Sequence, residues 1–324
     1  MFSSRLPLAA FIGAAALAGA VSTAVADDSK PDPRTTPKPL PAQSVDGFTK
    51  DYKPTPFTLN LDGTPTQWLT GDKNRPQPPR APNAKLQATP PPAGADILFD
   101  GTEASRDAAW KPLPVRRGKP TPWVVKKIRD AEGAPEYSVL IGTNQDVHTK
   151  KGYGDAKLHI EWRVPQNRTG SGQSGTNSGV MFADGRYEIQ VLDSFNNFTY
   201  ADGMAGSIYA QFPPKFNASL PRGEWQSYDI TFTAPRFDAE GNTTKRARFT
   251  VVFNGVVVQD DQELVGDGSY RSSSLFPTKA LKENAKARHG HRLLSPHPVR
   301  LPLRLQFHGD PIQFRNIWIQ DLEK

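Results

Sequence analysis

The feature that most constrains this chain is an alternation of apolar and polar residues with period two, repeated in short runs from about residue 96 onward. In the clearest run Leu158, Ile160, Trp162 and Val164 share one parity, and His159, Glu161 and Arg163 share the other. Successive side chains of a strand point to opposite faces, so residues 153–164 are expected to form a strand with one buried face and one charged face. In residues 187–193, Tyr187, Ile189 and Val191 oppose Glu188 and Gln190; Asp193 falls on the apolar parity and reads as a turn residue. Residues 225–233 repeat the pattern, with Tyr228, Ile230 and Phe232 inward. Shorter strands are expected at 97–99, 123–125, 137–141, 177–182, 205–210, 249–254, 256–258, 303–308 and 314–319. Asn254-Gly255 separates two of them, and both residues tolerate the positive φ of a two-residue hairpin turn. Helical periodicity is nearly absent, so the expected fold is an all-β sandwich or jelly roll, one domain spanning residues 96–324.

The residues before that domain are of two kinds. Residues 1–5 are a short basic start, 6–21 are apolar and Ala-rich, and Ala24-Val25-Ala26 fits a small-x-small cleavage site. This reads as a secretory signal peptide over 1–26, removed after Ala26, with the mature protein periplasmic or secreted. No later apolar run reaches the roughly 18 residues needed to cross a bilayer. The chain has no cysteine, which excludes a disulfide framework, a thiol nucleophile and a thiolate metal site. From 27 to 95 the chain is Pro-rich and lacks sustained periodicity, so a disordered or extended linker is expected. Within it, Phe57-Thr-Leu-Asn-Leu61 alternates, which leaves room for partial docking on the domain.

A net charge of +7 raises the question of nucleic acid. No zinc finger, basic helix or aromatic-plus-basic strand supports such a partner, and none is expected. The Gly/Ser-rich loop 165–176 lacks the Lys-Ser/Thr ending of a phosphate loop and opens no helix, so nucleotide binding is rejected. Residues 266–300 form a basic insertion with seven Lys or Arg against two Asp or Glu. His289, His291 and His297 lie in it without ligand spacing, so they read as loop histidines; neither a metal nor another cofactor is expected.

Three strands offer polar stripes: His159/Glu161/Arg163, Glu188/Gln190 and Arg304/Gln306/His308. If the fold turns them to one concave face, Glu188 and His308 are candidate bases, with the glutamines and Arg315 as hydroxyl or oxyanion donors. Ordinary glycoside hydrolysis wants two opposed carboxylates, whereas this strand carries Glu-x-Gln. No serine sits on a nucleophile elbow.

An ordered set of motifs adds to this reading: Leu98-Phe-Asp-Gly101, the strand from Tyr153 to Arg163, Asn177-Ser-Gly179, Tyr187-Glu-Ile-Gln190, Gly223-Glu-Trp225, Asn254-Gly255, Leu305-Gln-Phe-His-Gly309 and Phe314-Arg-Asn-Ile-Trp318. In order and content they resemble the 3-keto-disaccharide hydrolase domain family over nearly all of 96–324. Phe307 stands where that family commonly has Asp. The resemblance implies a concanavalin-like jelly roll, often exported, that acts on glycosides already oxidised to a ketone at sugar carbon 3. A 3-ketone acidifies the proton on carbon 2, so one base and an oxyanion donor suffice to expel the group at carbon 1. On this reading Glu188 or His308 is the base and Arg315, with Gln190 or Gln306, stabilises the enolate. Asn177 holds sugar hydroxyls, and His159 and Glu161 extend the substrate-binding stripe. The contrasting class is a lectin-like module that binds an oligosaccharide or glycoside without chemistry. A surface protein anchored through its Pro-rich tail is a third.

Overall fold

The computed structural model describes residues 58–59, 65–66, 71–115, 118–241, 243–264 and 296–323. The expected signal peptide, most of the basic insertion, and His289 and His291 lie outside these residues. The strands are β1 (Thr58–Leu59), β2 (Pro65–Thr66), β3 (Asp96–Phe99), β4 (Trp110–Pro112), β5 (Val124–Ile128), β6 (Tyr137–Ile141), β7 (Val147–Tyr153), β8 (Ala156–Arg163) and β9 (Asn177–Phe182). They continue as β10 (Tyr187–Leu192), β11 (Gln226–Thr233), β12 (Arg236–Phe237), β13 (Thr243–Lys245), β14 (Arg248–Phe253), β15 (Val256–Glu263), β16 (Leu301–Leu305) and β17 (Gln313–Asp321). One short helix, α1 (Glu103–Ala109), follows β3; Thr102 caps it by accepting the Ser105 N–H.

Two antiparallel sheets make the sandwich. One has five strands in the order β10-β9-β16-β7-β4, and the other runs β15-β14-β11-β8-β17-β6-β5, with β3 also paired to β17. The apolar parities predicted from sequence meet between them. Leu158, Ile160 and Trp162 of β8, Tyr228, Ile230 and Phe232 of β11, and Phe249, Val251 and Phe253 of β14 pack against Val180, Phe182, Tyr187, Ile189, Val191, Leu303 and Leu305 of the smaller sheet. Phe182 stands 4.8 Å from Phe232 between ring centres, so aromatic contacts bridge the two layers. The Asn254-Gly255 turn closes β14 onto β15 with φ of 49° and 78°, the conformation its residues predict.

Two expected strands differ. Residues 153–164 form the end of β7, a turn at Gly154 and Asp155, and β8, because Tyr153 pairs with Leu301 while Ala156 pairs with Phe232 and Asp321. Residues 205–210 are not a strand. Their backbone follows the free edge of β10 through Gln190 N–H to Ser207 O, Gly206 N–H to Gln190 O and Tyr209 N–H to Glu188 O, but turns at 204–207 and 208–211 interrupt any ladder.

Partial docking is left open in the sequence at the alternating run 57–61; among the described residues the contacts with the domain come instead from 71–95. Asn217 N–H donates to Pro79 O and Ala81 N–H to Asn217 O, and Lys85 N–H donates to Asn254 O. Further on, Gln87 N–H donates to Ser227 Oγ, and Trp318 Nε1 donates to Thr89 O. Pro cannot donate from its backbone, so the segment's N–H donors come from the residues between its prolines, while Pro79 accepts through its carbonyl. Farther upstream, β1 pairs with β2.

Candidate functional site

On the outer face of the five-stranded sheet, Glu188 pairs across to Met181, Met181 to Arg304, Arg304 to His148, and His148 to Lys111. Paired residues face the same way, so one row crosses all five strands at about 4.8 Å per step, polar on four of them and apolar at Met181. One step along, Gln190 pairs with Gly179, and Gln306 N–H donates to Gly179 O. Gly179 is bare for a reason: a Cβ there would fall on the Glu188 carboxyl.

Glu188 is 6% exposed, and its carboxyl makes no hydrogen bond or ion pair among the described residues. Burial, with a smaller push from the Asp146 charge, raises its pKa to about 8, and Arg304 pulls the other way. A buried carboxyl with no structural partner is poorly explained by stability and well explained by proton transfer. Arg304 is fixed by Asp146: Nε donates to Oδ2 at 2.7 Å, and Nη2 donates to the same oxygen. The other Asp146 oxygen accepts the Phe307 N–H at 2.7 Å. His148 lies 3.5 Å from Asp184, and burial lowers its pKa.

Gln173, from the Gly/Ser-rich loop, gathers the remaining amides. Its Oε1 accepts from Asn177 Nδ2 and Gln190 Nε2, both at 3.2 Å. Its Nε2 donates to Thr199 Oγ1 and Gly203 O. Asn177 N–H donates to Asp310 Oδ2, and the residue before it, Thr176, sits at φ 103°, a conformation costly for a β-branched residue and found where a site over-determines the backbone. Gln306 Oε1 is buried without a partner among the described residues. His308 is exposed, beside the turn at Gly309.

Thus Glu188, Gln190, Asn177 and Gln306 come together on one sheet, with His308 at its end. His159, Glu161 and Arg315 do not join them. Strands β8 and β17 belong to the eight-stranded sheet, and their polar parity faces out on the opposite side of the sandwich. There His159 Nδ1 meets Asp229 Oδ1 at 2.7 Å, Arg315 Nε donates to Glu161 Oε2 at 2.7 Å, and Asn316 Nδ2 donates to Glu161 Oε1. Burial opposes both charges, but the carboxylates beside His159 raise its pKa, and His159, Asn316 and Arg315 lower that of Glu161. Arg315 also lies over Trp225 at 4.1 Å. These residues are structural ties under the docked segment.

Sequence reasoning places Arg304 in the polar stripe with Gln306 and His308 but gives it no role; it misses Asp146 and Gln173, which lie in loops with no periodicity to mark them. Asp193 is a turn residue as read, accepting the Phe195 N–H and paired with Arg222. His297 is packed, its Nε2 3.2 Å from the Tyr187 hydroxyl. Among the described residues no three His, Asp or Glu side chains gather in a metal-ligating group, and no helix is long and apolar enough to cross a membrane.

Comparison with solved structures finds a candidate glycosyl hydrolase from Parabacteroides distasonis, 32% identical, covering 82% of this chain and all of its own, at a TM-score of 0.58. A second candidate glycosyl hydrolase from the same organism is 19% identical over 71% of this chain and 94% of its own, with a TM-score of 0.43. No curated protein matches. The family model of the 3-keto-alpha-glucoside-1,2-lyase-like domain matches residues 94–320, a span that contains both sheets and every member of the Glu188 row. The chain therefore belongs to the family of 3-keto-alpha-glucoside-1,2-lyase-like domains.

Proposed function

We propose that this protein is exported and cleaves 3-keto-glycosides by elimination followed by hydration, with Glu188 as the base. The observation that carries this reading is a buried carboxyl, without a hydrogen bond among the described residues, on the outer face of the sheet in the same row as a fixed guanidinium. A pyranose on this face lies between Glu188 and Arg304, whose strands flank that of Met181 and are two spacings, about 10 Å, apart. Glu188 carboxylate takes the proton from carbon 2, and the electron pair moves toward the ketone as an enolate. Arg304 replaces Arg315 as the group that meets the developing charge on the carbon-3 oxygen, because it shares the sheet of Glu188 and Asp146 aims it from the loop leading into β7. The enolate then expels the carbon-1 oxygen, which leaves as an alcohol after taking up a proton. Water adds across carbons 1 and 2, so the net change is one glycoside and one water to one 3-keto sugar and one alcohol. Gln190, Gln306 and Asn177 hold hydroxyls, and Gln173 holds Gln190 and Asn177 in turn.

Export rests on the signal-like first 26 residues. The chemistry is tested with full-length Glu188→Gln and a 3-keto-glucoside: aglycone release should fall by at least ~10²-fold while the melting temperature holds or rises. Full activity in that variant removes Glu188 as base. Wild type that binds the compound without releasing its aglycone supports the lectin-like class instead.

A further inference from the structure

Gln173 sets how Gln190 and Asn177 present their amides, yet it stands on no strand. It occupies a single 3₁₀ turn, Gly172–Ser174, in a loop where Gly170 and Gly172 both take positive φ. The two acceptors of its Nε2, Thr199 Oγ1 at 2.9 Å and Gly203 O at 2.7 Å, belong to the stretch between β10 and β11, which contains no strand. Loops without ladder bonds are the mobile parts of a fold, so an amide shared between two of them needs a third element to fix it.

That element lies upstream of the family domain, in the docked segment. Gly71 N–H donates to both oxygens of Asp202, at 3.2 and 3.1 Å, and Gln77 Nε2 donates to Thr199 O at 2.9 Å. Asp202 adjoins Gly203, and Thr199 carries the hydroxyl that Gln173 grips, so each acceptor of Gln173 is tied to the segment within one residue. Asp202 is fully buried in the turn Ala201–Gly203. Burial raises its pKa to about 6, while the Gly71 N–H and the charge of Arg75, itself buried, favour the carboxylate. Such a buried charge contributes little net stability beside an apolar residue of its size, and its best-attested use is to fix one register. Register matters because the Gln173 amide is directional. With Nε2 toward two oxygens, Oε1 is left to accept Asn177 Nδ2 and Gln190 Nε2; turned over, it would set oxygen against oxygen and nitrogen against nitrogen.

We propose that residues 71–77 complete the substrate site from outside the family domain, with Asp202 and Gln77 as positioning residues that act through Gln173 on Gln190 and Asn177. The proposal rests on the elimination reading for what those two amides hold, the hydroxyls of the sugar. The Glu188 and Arg304 side chains are not on this chain of bonds, so the hold on substrate is what its loss should change.

Full-length Asp202→Asn, Gln77→Ala and Ser227→Ala are compared with wild type on methyl 3-keto-α-glucoside. Asp202→Asn should raise KM about tenfold, the hold of roughly one hydrogen bond, with kcat within about twofold and the rising limb of the pH profile in place. Gln77→Ala, a mild change at a half-buried position for the case where the Asp202 variant does not fold, should raise KM about threefold. Ser227→Ala removes the acceptor of the Gln87 N–H and loosens the same segment over the opposite sheet, so it should lower the melting temperature and leave KM unchanged. An unchanged KM in Gln77→Ala and in folded Asp202→Asn, or an equal rise in Ser227→Ala, overturns the proposal. The dissociation constant of methyl α-glucoside, read by calorimetry on the same proteins, keeps the two readings apart. Wild type that binds it without turning over the ketone defeats the elimination reading, and Asp202→Asn should then weaken that binding by the same factor. A Kd that does not move, or wild type that takes neither compound, overturns the positioning role.

Discussion

Glu188 keeps its proton to a pH at which an exposed glutamate is long ionised, and two measurable consequences follow with opposite signs. As a base it works only when ionised, so kcat/KM should rise with pH and level off above about 8, where burial and Asp146 have moved its pKa. Stability should move the other way. The unfolded chain releases this proton near 4.5 and the folded chain near 8, so folding stability falls as pH rises through that window. Urea melts at pH 5 and pH 8 would show the fall, and Glu188→Gln would lack that part of it. Gly179 makes a second residue-scale prediction. An added methyl meets the Glu188 carboxyl rather than backbone, so Gly179→Ala should fold but displace the base. The expected result is a loss in kcat of about 10²-fold, from a misplacement near 1 Å, with an unchanged far-ultraviolet spectrum.

Strands β10 and β8 carry equivalent patterns and opposite fates. Both alternate apolar with charged residues, and both bury their apolar parity as periodicity predicts. Glu188 then lies buried on the outer face of the five-stranded sheet, while Glu161 lies under the docked segment, paired with Arg315 and Asn316. Period two tells which side chains share a face, but it does not tell which sheet a strand joins. That choice depends on pairings such as Arg304 with Met181 and Arg315 with Glu161, made between residues more than a hundred positions apart. This is why the sandwich, its core parity and the Glu-x-Gln strand are legible in the sequence, while the separation of Arg315 from Glu188 is not. Arg304 depends on a loop as much as on its own strand. Asp146→Asn weakens the bonds that aim its guanidinium, so kcat should fall by about 10–10²-fold. A pH profile that keeps its rising limb would separate this positioning role from loss of the base.

At the scale of the molecule, the family domain begins at 94 but the folded body begins earlier. Asn316 and Trp318 donate to Thr89 O, and Thr89 Oγ1 donates to Asp229, which holds His159. A chain starting at residue 94 should fold with its buried His159 and Glu161 uncovered. The loss of seven hydrogen bonds between residues 79–89 and the domain, at about 1 kcal/mol each, predicts a Tm lower by roughly 14–28 °C, read by calorimetry; an unchanged Tm would make the segment a spacer. The two sheets are also joined through the core beneath β10. The Tyr228 hydroxyl, fully buried and with its pKa far above the ordinary value because of that burial, donates to Gln190 O at 2.6 Å. Apolar contacts alone let one layer shear across another with little change in energy, since methyls and rings can trade neighbours. A directional bond cannot be traded. Tyr228 therefore acts as a dowel between the layers, and any sliding of the sandwich must either break it or carry the strand bearing Glu188 and Gln190 along.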